Sequence, residues 1–504
     1  MLGDNFVSAG ADDEQPSSAG CMPGTRVNVL SKFMKWVEED PKRLFWLAGM
    51  AGTGKTSIAV TLCRKLRENT EVLFAGGYFC SRSAGSVARM DVRCILPTLA
   101  GLLADKSPEF ASALAAELEQ DRRVAHKPVS DQIGPLLERP LAALAAETRR
   151  IVFIVDALDE CSNEREMEEL LAAFAEFESE SKVKFILMSR PETHIRGSRI
   201  SDDSHTDILQ LHTINTADVT EDVRIYISTT FAQNPLSKPW YFETDVTALA
   251  KLSNGLFIFA STIVTYILGN KSVQGRTTRL QTALKTVLSQ SAVGRGPLDA
   301  MYEFIITRAA DTSEIEPEEL QATQRTLACI LRGRMPLSVR ALAELLELDT
   351  DVLLESLRRL HAAVHVPENI NEPGLRTLHA SFGDYLFSQA SGHIHIPATL
   401  GHDILGKSCL RRMMQKDLCF NVSRSQSSFE SNSETAPDCI PLSLIYACLH
   451  WARHISAASD PSGFEEEIGR EFRPKFLPWL EVLSVIGSIG LASGLLLVAT
   501  SVVS

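Results

Sequence analysis

The chain has no surplus of positive charge. Its 50 lysines and arginines stand against 63 aspartates and glutamates, a formal net charge of −13. Affinity for a phosphate backbone needs a basic surface, so a dedicated nucleic-acid binder is disfavoured. The ten cysteines include no C-x-x-C pair, the spacing a structural zinc site usually shows. Their scatter points to free thiols in a reducing, cytoplasmic setting. No secretory leader opens the chain, because Met1 to Gly20 is acidic and rich in small residues. No internal repeat of the solenoid or propeller kind is present.

The 504 residues are too many for one core, so two to four domains are expected. The most informative stretch is Gly49-Met50-Ala51-Gly52-Thr53-Gly54-Lys55-Thr56-Ser57. An apolar run, Leu44 to Leu47, precedes it, and a helical pattern, Ile58 to Leu66, follows. Strand, glycine turn and helix are the context of a phosphate-binding loop. Glycines let backbone N–H groups point at phosphate oxygens, and the helix start adds its positive end. In this pattern Lys55 reaches the β- and γ-phosphates and the Thr56 hydroxyl holds Mg²⁺.

Two further motifs agree. Ile151 to Val155 is a continuous β-branched run that suits a strand buried on both faces. It ends in Asp156-Ala157-Leu158-Asp159-Glu160, and carboxylates at such a strand end are expected beside the phosphate loop. Asp156 is placed to hold Mg²⁺, and Asp159 and Glu160 to orient or activate the attacking water. Val183 to Met188 reads as another buried strand ending in Ser189-Arg190-Pro191-Glu192. Arg190 is either a γ-phosphate sensor or a plain ion-pair residue. No Asn-Lys-x-Asp guanine-reading motif occurs; Asn270-Lys271-Ser272-Val273 lacks the final acid. That favours ATP or ADP as the ligand, with GTP still open.

The remaining chain divides by pattern. Residues 1–20 read as disordered. Residues 21–213 read as an α/β P-loop NTPase core, a parallel sheet with helices on both faces. Its strands are expected at 43–49, 72–79, 151–155, 183–188 and 207–211, with a helix over Thr25 to Val37. Helical stretches follow at 214–310. Residues 311–395 combine two helices, a small strand pair and a helix, a winged-helix-like pattern. Residues 396–480 are helical around a Ser/Asn-rich loop, Asn421 to Ser433. From Val482 to Ser504 there is no charge, a run long enough to span a bilayer. Its alternatives are a tail anchor facing the cytosol or a helix hairpin diluted by glycine and serine. His393, His395 and His402 lack the acids or cysteines that would complete a metal set, so a surface loop is the simpler reading.

These residues together resemble a known family. Gly49 to Ser57, Val155 to Cys161 and Met188 to Glu192 are similar to the NACHT branch of the STAND signalling ATPases. Cys21 to Arg26 with Trp36, Phe45 to Met50, Asp156 to Cys161, Asn254 to Ile258 and Leu378 to Phe382 narrow the likeness to fungal nephrocystin-like N-terminal domains. The resemblance implies a nucleotide switch that is closed with ADP, opened and oligomerised with ATP, and reset by slow hydrolysis. It matches Lys55 and Thr56 to the Walker A lysine and Mg²⁺ ligand. It matches Asp156, Asp159 and Glu160 to the extended Walker B acids, and Arg190 to the sensor arginine. It implies that Arg26 lies near the adenine and that His379 contacts ADP. It also implies self-association or protein partners, and a role in innate immunity or self-recognition. Ala157 stands where many relatives have glycine. About 40 residues precede the nucleotide core, too few for a usual signalling domain, and no repeat array follows. The expectation is a core working alone, a short form, or an incomplete gene model. A rapidly turning over P-loop enzyme or remodeller, and a degenerate scaffold, are the competing readings. The intact Lys55, Thr56, Asp156 and Glu160 favour the switch.

Overall fold

The computed structural model describes residues 20–81, 87–177, 182–198, 200, 206–291, 296–309, 317–422 and 440–503. The disordered start expected over residues 1–20 lies outside these residues except for Gly20. The Ser/Asn-rich loop lies outside them beyond Val422. The chain divides into two compact units, Met1–Leu298 and Asp299–Ser504.

Five strands form a parallel sheet in the first unit: β1 (Leu44–Ala48), β2 (Val72–Phe79), β3 (Arg150–Asp156), β4 (Val183–Ser189) and β5 (Thr206–Gln210). Each lies within one residue of its expected span. The order is β2-β3-β4-β1-β5. Alternate residues feed two cores, as a strand's period of two requires. Trp46, Phe153, Val155, Phe185 and Leu187 pack on one face. Phe45, Leu47, Ile154, Ile186 and Met188 pack on the other. Both faces are therefore covered, which is why the strands read as unbroken apolar runs.

On the second of these faces lie α1 (Val27–Glu39), burying Val29, Leu30, Phe33, Trp36 and Val37, and α2 (Lys55–Glu68), burying Ile58, Leu62 and Leu66. Lys184 is the exception within β4. Its ammonium donates to the carbonyls of Trp36, Asp40 and Lys42 and lies 4.0 Å from the Trp36 ring. It thereby ties the end of α1 and the turn after it to β4, sharing the Trp36 carbonyl with the Asp40 N–H at 3.2 Å. Helices Thr216–Ala232, Glu243–Leu252, Phe257–Leu268 and Val273–Ser291 complete the unit.

β4 runs between β3 and β1, and Asp156 at the end of β3 still meets Thr56 of the phosphate loop through a hydrogen bond. The end of β4 adds a second connection between loop and acids.

In the second unit, helices Val339–Leu346 and Thr350–Arg359 precede an antiparallel pair, β6 (Val364–His365) and β7 (Arg376–Thr377), and then helix Ala380–Phe387. Helices Leu400–Met414 and Leu442–Ser456 pack on one another. The uncharged terminal run is not one helix. Phe476–Val485 ends at Ile486, Gly487 takes φ 70°, and a 3₁₀ turn, Ile489–Leu491, precedes helix Ala492–Val503. A left-handed residue cannot continue a right-handed helix, and glycine adopts it without a Cβ clash. Among the described residues no helix is long and apolar enough to cross a membrane. Leu495 and Ala499 are buried and Leu497 is exposed, and this last helix packs on Leu442–Ser456.

Candidate functional site

The loop from Gly49 to Gly54 leaves β1 and enters α2 directly. Gly52 and Gly54 have φ of 76° and 90°, the left-handed region that only glycine enters cheaply. A Cβ on Gly52 would stand 2.0 Å from Ile258. The start of helix Phe257–Leu268 is thus seated on the loop, and the Ile258 N–H donates to the Gly52 carbonyl at 3.1 Å. Lys55 folds back over the turn, donating to the carbonyls of Gly49 at 2.6 Å and Met50 at 3.2 Å. Thr53 closes the turn through its hydroxyl to Met50. Burial pulls the Lys55 ammonium below its usual range, opposed by Asp159 and Asp156. Ser57, at the first turn of α2, accepts from the Thr61 hydroxyl through its carbonyl.

The acids sit across the end of β4. Asp156 is fully buried, and burial pushes its carboxyl up to about 6 against a hydrogen bond from Thr56 and the charge of Lys55. Its Oδ1 is buried with no hydrogen-bond partner. A buried carboxylate oxygen without a partner is costly unless a cation meets it. Thr56 and Asp156 together supply the hydroxyl and carboxylate oxygens that Mg²⁺ takes, so these residues fit that ion.

Asp159 is held on both oxygens by Arg190. The Arg190 backbone N–H donates to Oδ1 at 2.8 Å, and Nε lies 3.1 Å from Oδ2. Of the two alternatives open for Arg190, the ion pair is the one seen, and it lies beside the acids. Glu160 is half-buried at the end of the same 3₁₀ turn, Leu158–Glu160. Ala157 starts that turn with φ 57°, so a side chain occupies a left-handed position where glycine would be unstrained.

Arg26 reaches the loop from the other direction. It is buried, also left-handed (φ 56°), and its Nη2 donates to the Thr53 carbonyl at 2.8 Å. Its guanidinium lies 5.0 Å from the Phe257 ring, while Nε and Nη1 are buried without partners. Beside it a cavity of about 360 Å³ is lined by Gly24, Arg26, Ile214, Asp218, Asp222 and Ile225, among others. Burial raises the Asp222 carboxyl, opposed by the backbone N–H and charge of Arg26. In the sequence only family likeness points to Phe257 and Ile258, and nothing points to Asp222. The available signal was Gly255, whose φ of 79° breaks one helix so that the next can aim at the loop.

His379 belongs to the second unit. It caps helix Ala380–Phe387, accepting from the Ser381 backbone N–H at 3.0 Å. His395 Nδ1 lies 3.1 Å from the Ser388 carbonyl, and His402 pairs with His454.

Residues 24–190 match the family model described as nephrocystin 3, N-terminal. The vegetative incompatibility protein HET-E-1 of Podospora anserina is 24% identical over 523 residues, covering 94% of this chain and 36% of that protein. The chain thus spans about a third of that relative's length. The STAND protein with a tetratricopeptide repeat sensor from Pyrococcus horikoshii is similar at 12% identity with a TM-score of 0.39, over 97% of this chain and 59% of that one. Cdc6p from Pyrobaculum aerophilum is similar at 11% identity with a TM-score of 0.32, over 76% and 97%. With the loop, the buried acid and the parallel sheet in place, residues 24–190 form an α/β P-loop NTPase-type domain that matches the nephrocystin 3 N-terminal family model.

Proposed function

We propose that this chain is a nucleotide-operated switch that binds ATP or ADP with Mg²⁺ and hydrolyses slowly. The observation that carries the reading is the orphaned Asp156 Oδ1, facing Lys55 and Thr56 at the end of the phosphate loop. Lys55 leaves the loop carbonyls to bind phosphate oxygens, and the Gly49 to Ser57 backbone cradles them. Thr56 and Asp156 would hold Mg²⁺, which would supply positive charge against that of the phosphates. Glu160 orients the attacking water, and Arg190 and Asp159 act as one unit that reads the γ-phosphate. The cavity beside Arg26 takes the base. Asp218 and Asp222 on its wall can accept from an amino group of the base; the preference for ATP or ADP over GTP rests on the missing Asn-Lys-x-Asp motif.

The switch follows from Ile258. Its N–H is bonded to the loop, so a helix outside the sheet is anchored on the phosphate site. Exchange of ADP for ATP then opens the chain and exposes surfaces for self-association or a protein partner. On this reading residues 21–213 are the core, 214–310 a helical domain, 311–395 a winged-helix-like domain in which His379 contacts ADP, 396–480 a helical domain, and 481–504 a terminal segment. HET-E-1 is named for vegetative incompatibility, and a role in signalling of self-recognition or innate immunity is proposed here by that likeness.

The test is the nucleotide that copurifies with the full chain, released by denaturation and identified by anion exchange. Stoichiometric ADP supports the closed switch. An empty site with rapid Mg²⁺-dependent turnover would move the weight to a conventional P-loop enzyme. Glu160→Gln should keep nucleotide affinity within about twofold while slowing single-turnover phosphate release by about 10²-fold or more, the size general-base losses typically reach.

A further inference from the structure

Two thiols meet behind the acids. Cys80 follows β2 at the carboxyl edge of the sheet, where its backbone N–H donates to the Asp156 carbonyl at 3.0 Å. Cys161 closes the 3₁₀ turn, its N–H donating to the Leu158 carbonyl at 3.2 Å. The Cys161 thiol donates to the Cys80 sulfur at 3.4 Å. Both are free thiols, Cys80 buried and Cys161 half-buried. Paired cysteines often do no more than fill a core. Here one of the pair is partly reachable and is the next residue after Glu160.

We propose that Cys80 and Cys161 form a reversible disulfide under hydroperoxide, and that this bridge clamps the turn carrying Asp159 and Glu160 and slows hydrolysis. The second half of this proposal rests on the nucleotide reading above. The chemistry starts at Cys161, because a reactive thiol must be reachable. Cys80, within 3.4 Å of the Cys161 sulfur, is placed for the resolving step. The Cys161 thiolate attacks the peroxide O–O bond, forming a sulfenic acid and releasing hydroxide, which takes the thiol proton to become water. The Cys80 sulfur then attacks the sulfenic sulfur, and the sulfenic oxygen leaves as water with the Cys80 proton. Two thiols and one hydrogen peroxide give one disulfide and two waters, the sulfurs losing the two electrons that the peroxide gains.

The sulfurs must close from 3.4 Å to about 2.05 Å. That pulls Cys161 toward β2 and Glu160 with it, and a misplacement of about 1 Å in a catalytic group is enough for a large loss of rate. Lys55 and Thr56 lie on α2, outside this clamp, so binding should persist while turnover falls about tenfold or more.

The experiment treats the full reduced chain with hydrogen peroxide and maps peptides by mass spectrometry without reductant. Single-turnover phosphate release and fluorescent-ADP affinity are followed alongside. The expected result is one Cys80–Cys161 peptide pair lighter by two hydrogens. Phosphate release should fall about tenfold, ADP affinity should hold within about twofold, and dithiothreitol should restore the rate. Cys161→Ser and Cys80→Ala should each remove the rate response. Sulfinic or sulfonic acid at Cys161 without a bridge, or a bridge from Cys161 to Cys94, overturns the pairing. A bridge that leaves phosphate release unchanged overturns the regulation. A reduced chain that binds no nucleotide overturns the nucleotide reading and the regulation with it, while the peptide map still decides the bridge.

Discussion

Two clusters of buried polar side chains, one in each unit, differ in how far their hydrogen bonds are met. In the second unit the Arg334 N–H donates to the Tyr446 hydroxyl at 3.2 Å, and that hydroxyl lies 2.8 Å from His454 Nε2. His454 Nδ1 lies 2.9 Å from His402 Nδ1. The Tyr446 hydroxyl, both ring nitrogens of His454 and Nδ1 of His402 thus form one connected run of hydrogen bonds. Buried Arg412 likewise spends its donors on Ser443, Gln415 and Asp417. In the first unit, Asp156 Oδ1 and two nitrogens of Arg26 are buried with nothing to meet them. A chain of satisfied bonds specifies packing, whereas unmet groups around a glycine loop specify a ligand.

The comparison can be broken most severely at Lys55. Lys55→Ala should lower nucleotide affinity by about 10²-fold or more, the loss of two charge-assisted bonds of about 1.5–3 kcal/mol each, and titration calorimetry would read it. Unchanged affinity would remove the phosphate-loop assignment. The second unit should not register this change: peptide-resolved hydrogen exchange over residues 400–456 should stay as in the parent chain.

Acid should push the two units in opposite directions. Asp156 titrates near 6 in the fold against an ordinary 3.8. A raised carboxyl contributes stability that is full below about 4 and lost as pH rises through about 6, about 3 kcal/mol in all. His450 is pulled to about 3 by burial and by Arg453 and Arg334, His402 to about 4 mainly by burial, and His454 well below its usual value mainly by burial. Depressed histidines contribute stability that is full above about 6.5 and lost as pH falls, about 2 kcal/mol at pH 5 for His450 alone. Exchange corrected for intrinsic rates should therefore show helix Leu442–Ser456 loosening from pH 7 to 5, while the end of β3 tightens in the absence of Mg²⁺ and nucleotide. Equal loosening of both would dissolve the contrast.

Tyr446→Phe should cost about 1–3 kcal/mol, since it leaves the Arg334 N–H and His454 Nε2 buried and unpaired. Thermal unfolding would record the cost, with nucleotide affinity unmoved. The smallest effect belongs to Ala157→Gly. It relieves a left-handed alanine but adds glycine's freedom to the unfolded chain, so the net gain should be below about 1 kcal/mol. A measured loss of stability would show that the Ala157 methyl packs usefully enough to outweigh its backbone.

The sheet and loop were legible because their signals are local. Unbroken apolar runs specify strands covered on both faces, and Gly52, Gly54 and Lys55 declare the turn between β1 and α2. The order of the strands was not legible, because pattern within a strand carries no record of its neighbour. The placement of β4 between loop and acids is for that reason a property of the folded sheet alone. The Cys80–Cys161 contact and the Asp222 wall join residues far apart in the chain, which no periodicity reports. The terminal run left an anchor and a helix hairpin both open because hydropathy averages over Gly487, while one left-handed residue there ends a helix outright.

The end of β4 works as a piece of mechanics. Ser189 holds the loop side: its carbonyl accepts from the Gly49 N–H at 3.1 Å, and its hydroxyl from the Trp46 indole at 2.8 Å. Arg190, the next residue, holds the acid side through Asp159. The Ser189 carbonyl and the Arg190 N–H belong to one planar peptide unit, so the angle between these two grips is fixed. The lever between phosphate loop and acids is therefore as short as a polypeptide permits. A displacement at either grip arrives at the other almost undiminished, with no loop in between to absorb it.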